Sequence, residues 1–213
     1  MLKIWYYNLM SGSKKDWLKI LFKSLGLVVL ILIAFVITNS EYFWKNLSYD
    51  LNPKKSAIDV PADIQNRKKM QPNFLIVPSL GIQAPIQYAD QVSEQAFQAA
   101  LQSGVVHYPN TAKPGEFGNS YVFGHSSDYA FTKGQYKTVF ALLPKIEIGA
   151  EIFISNDTGD EFVYKVSDKL VVNPNETKYL DQNQNKEQLL TLQTSYPVGT
   201  ALKRFLVIAH LEK

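Results

Sequence analysis

The sequence predicts an all-β domain, a closed barrel of eight strands with one or two short helices, preceded by a single N-terminal transmembrane helix. Three observations lead there. Ser24 to Ser40 is a 17-residue stretch without a formal charge. After Asn73, short apolar or alternating runs recur between turn residues. No strand–helix–strand alternation appears among them, which argues against a layered parallel sheet and for closure of one sheet on itself.

The apolar run Leu27–Ile37, extended by Ile20, Leu21 and Phe22 with Lys23 snorkelling, reaches about 20 residues, enough for a ~30 Å hydrocarbon core. Trp17 precedes it, and Tyr42, Phe43 and Trp44 follow, where an aromatic belt would lie. Lys3, Lys14, Lys15, Lys19 and Lys23 lie before the span, against Lys45, Lys54 and Lys55 after it. That bias places the N-terminus inside and the rest of the chain outside. The run is too long for a signal-peptide core, and no small-x-small cleavage site closes it. The expected division is a cytoplasmic tail over 1–19, a signal-anchor over 20–40, a linker over 41–72 and the barrel domain over 73–213. Within the linker, Trp44 to Leu51 could form a short interfacial helix, and the remainder reads as a solvated tether.

Charge supports the same division. Residues 1–69 carry 11 Lys+Arg against 5 Asp+Glu, and residues 70–213 carry 11 against 14. A mildly acidic globular part argues against nucleic acid as the partner. With no cysteine, the chain has no disulfide, thiolate metal site or thiol chemistry. Three histidines do not supply a zinc site at any supported spacing, so no metal or other cofactor is expected.

The strands are expected at Phe74–Val77, Ile82–Ile86, Gly104–His107, Ser120–Gly124, Glu151–Ser155, Glu161–Val171, Leu189–Thr194 and Arg204–Leu211. Two segments read as helical, Ser93–Gln102 with Ser93 as N-cap, and Val139–Leu143. Asn156-Asp157-Thr158-Gly159 between two strands reads as a hairpin turn, with fewer assumptions than a calcium loop.

Three places carry candidate chemistry. His125 stands just past an apolar strand in Gly118-Asn119-Ser120-Tyr121-Val122-Phe123-Gly124-His125-Ser126-Ser127. Ser195 ends the strand that begins at Leu189, and Arg204 opens the last strand after a turn holding Pro197 and Gly199. In an antiparallel pair joined by that turn, Ser195 and Arg204 face each other across the ladder. His107 and His210 read as structural. A serine needs a general base oriented by a carboxylate, and the acidic residue nearest His125 in sequence is Asp128.

Thr191-Leu192-Gln193-Thr194-Ser195, followed by Arg204, resembles the TLxTC signature and arginine of the sortases, membrane-anchored transpeptidases of bacterial cell walls. His107-Tyr108-Pro109, Pro114-Gly115-Glu116-Phe117-Gly118-Asn119, Gly124-His125-Ser126-Ser127 and Val139-Phe140-Ala141-Leu142 also resemble the family's pattern, over nearly all of residues 74–211. The resemblance is to N-terminally anchored members of the A, D or E kind. It implies His125 as general acid and base, Arg204 as the group steadying substrate and oxyanion, and Ser195 in the nucleophile's place. It also implies Thr194 and Tyr196 as substrate-binding neighbours. The loop from Asn173 to Lys186 corresponds to the family's substrate-selecting loop.

The implied activity is cleavage of an LPXTG-like sorting-signal peptide and its transfer to a cell-wall precursor or other amine. The implied place is the bacterial cell membrane, with a single pass, the N-terminus cytoplasmic and the catalytic domain extracellular. Two other readings stay open: a non-catalytic module that binds sorting signals or scaffolds surface assembly, and a Ser195-dependent hydrolase.

Overall fold

The computed structural model describes residues 14–58, 69–128, 134–182 and 187–212. The part of the expected cytoplasmic tail up to residue 13, with Lys3, lies outside them. So do residues 59–68 of the expected linker and residues 183–186 of the expected selecting loop. Two compact units meet in sequence at Ser40–Glu41.

The first unit is the helix α1, Lys14–Thr38. Its apolar stretch Asp16–Thr38 holds 23 residues, and at 1.5 Å per residue that is about 35 Å. It is long and apolar enough to cross a membrane. Side chains close its last turn. Thr38 Oγ1 donates to the Ala34 carbonyl at 2.9 Å, and Asn39 Nδ2 donates to the Phe35 carbonyl at 2.9 Å. The Phe35 carbonyl also accepts from the Asn39 N–H at 3.2 Å, so these side chains add to the backbone bonds of the last turn.

The second unit begins one residue into helix α2, Ser40–Leu51, which is followed by the single turn α3, Pro53–Ser56. One face of α2 bonds to the barrel. Lys45 Nζ donates to Thr138 Oγ1 at 2.6 Å, and that hydroxyl donates to Glu41 Oε1 at 2.6 Å. Asn46 Nδ2 donates to the Ala141 carbonyl at 3.4 Å, and Lys145 pairs with Asp50 at 2.7 Å.

Eight strands follow: β1 Phe74–Val77, β2 Ile82–Tyr88, β3 Val105–His107, β4 Gly118–Phe123, β5 Glu151–Ser155, β6 Glu161–Val172, β7 Gln188–Tyr196 and β8 Lys203–Leu211. They close into a barrel in the order β1-β2-β3-β4-β7-β8-β6-β5. Two joints are parallel, β2 with β3 and β4 with β7, and the rest are antiparallel. The short helix α4, Glu94–Leu101, spans the β2–β3 crossover, and Ser93 Oγ accepts from the Ala96 N–H at 3.2 Å as the N-cap reading requires. The β5–β6 hairpin turns as expected, with Asn156 Oδ1 accepting from the Thr158 and Asp160 amides and Gly159 at φ 80°.

Alternation along each strand sends one set of side chains into the barrel. Leu75, Val105, Val122, Ile152, Ile154, Leu190, Leu192 and Val207 are fully buried there. At about 1.5–3 kcal/mol for each such side chain, this core dominates the fold's stability. One polar group enters it at little cost, since the Tyr164 hydroxyl accepts from the Gly115 N–H at 2.9 Å.

The expected helix at Val139–Leu143 is absent. Val139, Ala141, Leu143 and Lys145 donate instead to the carbonyls three residues earlier, as linked turns ending in a 3-10 turn at Leu143–Lys145. Pro144 explains this, because it offers no N–H and disfavours the α conformation at the residue before it.

Candidate active site

The parallel pairing of β4 with β7 brings the end of one strand beside the end of the other, through Phe123 opposite Gln193. Val122, Leu190 and Leu192 point inward, so Tyr121, Phe123, Gln193 and Ser195 point out of the barrel. Antiparallel β8 places Arg204 directly opposite Ser195. These outward side chains floor a groove of about 400 Å³. Glu94, Phe97 and Leu101 of α4 form one wall, and Pro174, Thr177 and Leu180, from the segment after β6, form the other.

His125 reaches the groove because its loop is held from three sides. The Gly124 N–H donates to the Gln193 carbonyl at 3.0 Å, which extends the β4–β7 ladder by one residue. Thr194 Oγ1 donates to the Gly124 carbonyl at 2.8 Å. The His125 carbonyl accepts from the Phe140 N–H at 2.9 Å. Gly124 cannot be replaced freely, since a Cβ there would lie 2.9 Å from Cδ2 of the fully buried Phe140. Farther along, Ser127 Oγ accepts from the Gly199 N–H at 3.1 Å and ties the histidine loop to the β7–β8 turn.

Burial holds the His125 pKa below the ordinary imidazole value, against the upward pull of Asp128 and Glu94. Its imidazole is therefore largely neutral at pH 7. Asp128 Oδ2 lies 3.9 Å from Nε2, close enough for attraction but outside hydrogen-bond range. The Arg204 guanidinium is steadied by its own turn, with Nη1 donating to the carbonyls of Ala201 at 2.9 Å and Lys203 at 3.1 Å. On the groove floor the Tyr121 hydroxyl donates to Gln193 Oε1 at 2.8 Å. Burial raises the pKa of that tyrosine, and the positive charge of Arg204 opposes the rise only in part. One end of the groove is aromatic, with the Phe97 ring 5.0 Å from Phe123 and 5.5 Å from Tyr108.

His125, Ser195 and Arg204 therefore line one groove. Thr194 and Tyr196 do not. Thr194 is buried and spends its hydroxyl on Gly124, while Tyr196 packs its ring 6.1 Å from Phe205 on the other side of the strand. Strand parity carries that information, since both neighbours of an outward Ser195 must face away. Sequence reasoning did not find Tyr121, Gln193, Phe97 and Glu94, which meet only through strand pairing and the packing of α4.

His107 is buried against Tyr88 at 4.8 Å, with Nε2 at 2.8 Å from the Ala112 carbonyl, and His210 lies exposed 3.5 Å from Glu187. Neither lines the groove. Among the described residues, no three His, Asp or Glu side chains converge to hold a metal ion.

Comparison with known proteins agrees with this fold. The family model described as the sortase domain matches residues 75–212. Sortase D of Bacillus subtilis (strain 168) is 27% identical over 137 residues, which are 63% of this chain and 60% of that protein. The chain thus spans about 60% of the length of this curated relative. The structure of a Clostridium perfringens sortase D5 transpeptidase is 28% identical with a TM-score of 0.53, covering 66% of this chain and 78% of that one. Sortase E1 from Streptomyces coelicolor, solved with a tripeptide in its active site, is 25% identical with a TM-score of 0.52, covering 66% and 86%.

Proposed function

Because the chain belongs to the sortase family, we propose that it is a membrane-anchored transpeptidase whose groove takes a sorting-signal peptide, with Ser195 where the family motif has cysteine. The observation that carries this reading is the opening of His125, Ser195 and Arg204 onto one groove. The aromatic end formed by Phe97, Tyr108 and Phe123 offers an apolar seat for the leucine and proline of an LPXTG-like peptide.

In the proposed reaction, Ser195 Oγ attacks the carbonyl carbon of the scissile bond while His125 takes the hydroxyl proton. Arg204 stabilises the charge on the carbonyl oxygen. As the C–N bond breaks, His125 returns the proton to the leaving amine, and the acyl group stays on Ser195 as an ester. An amine, from a cell-wall precursor or another acceptor, then attacks that ester. Its proton passes through His125 back to Ser195. The neutral imidazole suits this route, because a serine needs a proton acceptor where a thiolate would need none. The anchor α1 would hold the domain outside the cell membrane with its N-terminus in the cytoplasm.

A second reading, a non-catalytic module that grips sorting signals, draws on the 3.9 Å separation of Asp128 Oδ2 from the imidazole Nε2, longer than the carboxylate hydrogen bond of a serine triad. The full chain in detergent, incubated with an LPXTG-type peptide with and without an amine acceptor, separates the two. A mass increase on Ser195 equal to the acyl fragment, discharged by amine, supports the transferase. Discharge by water alone, unchanged by amine, supports a hydrolase. Peptide binding with neither adduct nor cleavage supports the module.

A further inference from the structure

Helix α2 has a second, largely exposed face opposite the one that bonds Thr138 and Ala141. At 100° per residue, Tyr42, Lys45, Asn46 and Tyr49 share the side toward the barrel, where they are half-buried. Phe43, Trp44, Leu47 and Leu51 fall within an arc of about 100° on the opposite side. They are exposed by 36%, 71%, 51% and 78%. A contiguous apolar stripe on a helix that is already packed on its other side calls for an occupant.

We propose that this stripe lies in the headgroup–acyl boundary of the bilayer that α1 spans. The proposal rests on reading α1 as a membrane anchor. Connectivity argues for it, since Asn39 alone separates α1 from α2, so the stripe begins within a few residues of the end of the span. Composition argues the same way. Trp44 and Phe43 are side chains that settle at the membrane interface, and Lys54 lies exposed just beyond, able to meet anionic headgroups. An amphipathic helix with an apolar face on one side and polar groups on the other is the form that lies along a bilayer surface. Size argues against a protein occupant, because four partly exposed side chains offer well under the ~800 Å² per partner of a stable complex.

Through Lys45, Glu41 and Asn46 the opposite face of α2 grips Thr138 and Ala141, which flank the Phe140 that supports His125. The helix therefore joins the lipid surface to the turn behind the groove.

The absence of cysteine allows single nitroxide labels in the full chain, reconstituted in vesicles of phosphatidylcholine and phosphatidylglycerol. Labels at Leu47→Cys and Leu51→Cys are expected to collide more with oxygen than with a water-soluble nickel chelate, as does a label at Ile31→Cys in α1. A label at Phe117→Cys, exposed on the β3–β4 loop, is expected to show the reverse order. Lipid access at Ile31 with aqueous access at Leu47 and Leu51 overturns the docking proposal and leaves the anchor intact. Aqueous access at Ile31 overturns the anchor reading, and the docking with it. Label–label broadening at Leu47 that disappears on dilution with unlabelled chain overturns the proposal in favour of a second copy.

Discussion

Thr194 Oγ1 donates to the carbonyl of Gly124 at 2.8 Å, and this bond joins the strand carrying Ser195 to the loop carrying His125. The two residues are 70 positions apart, and both are buried at the contact. Thr194→Val keeps the shape and removes the donor, so the Gly124 carbonyl loses its side-chain partner. The expected loss is about 1–2 kcal/mol of stability, measured from the urea midpoint, together with reduced acyl transfer. Thr194→Ser, which keeps the hydroxyl, is expected to retain most of both.

Gly124→Ala tests the close approach from the other side. Its Cβ would meet the Phe140 ring at 2.9 Å and Val139 Cγ1 at 3.0 Å. Overpacking of this kind costs about 1–3 kcal/mol, and thermal unfolding is expected to show it. Adding Phe140→Leu, which makes room, is expected to recover part of that loss. Simple addition of the two single losses would count against the contact.

Arg204 stands across the ladder from Ser195 with its guanidinium held by two carbonyls of its own turn. Arg204→Ala is expected to lower the acylation rate by about 10²–10³, the usual loss when an oxyanion donor is removed. Arg204→Lys is expected to restore only part of it, because a single ammonium does not reproduce the fork. Single-turnover kinetics with intact-mass detection would measure both. An unchanged rate in Arg204→Ala removes the residue from the mechanism.

The pH profile follows from His125. Its pKa lies below 6.5 because burial disfavours the imidazolium more than Asp128 and Glu94 favour it. The base form is what acylation needs, so the rate is expected to rise with pH through a midpoint below that of an ordinary imidazole. Asp128→Asn removes an influence that raises the pKa. The rising limb is therefore expected to shift to lower pH, and a shift to higher pH would contradict the assignment.

Much of this was legible in the residues themselves. Short apolar or alternating runs between turn residues located all eight strands of the barrel. Ser93 announced α4, and Asn156 with Gly159 announced the β5–β6 hairpin. The facing of Ser195 and Arg204 followed from the turn between them. Less local facts were hidden. The parallel pairing of β4 with β7 joins segments about 70 residues apart, so the bond from Tyr121 to Gln193 had no signal in either stretch. Pro144 acted against a helix that the apolar pattern of Val139–Leu143 suggested. The bonding of α2 to Thr138 and Ala141 depends on a turn nearly 100 residues away, so that stretch read as part of a linker.

From Leu189 to Gln193 the strand β7 is paired on both sides, with β4 and with β8, so the sheet has no free rim along that stretch. On the proposed reading, a guest peptide could not extend the sheet there and be held through ladder bonds that ignore its sequence. It would be gripped by the groove's side chains, Tyr121, Gln193, Glu94 and the aromatic cluster around Phe97 among them. Discrimination between guests is then written in replaceable side chains, and a handful of exchanges there would redirect the choice without disturbing the scaffold.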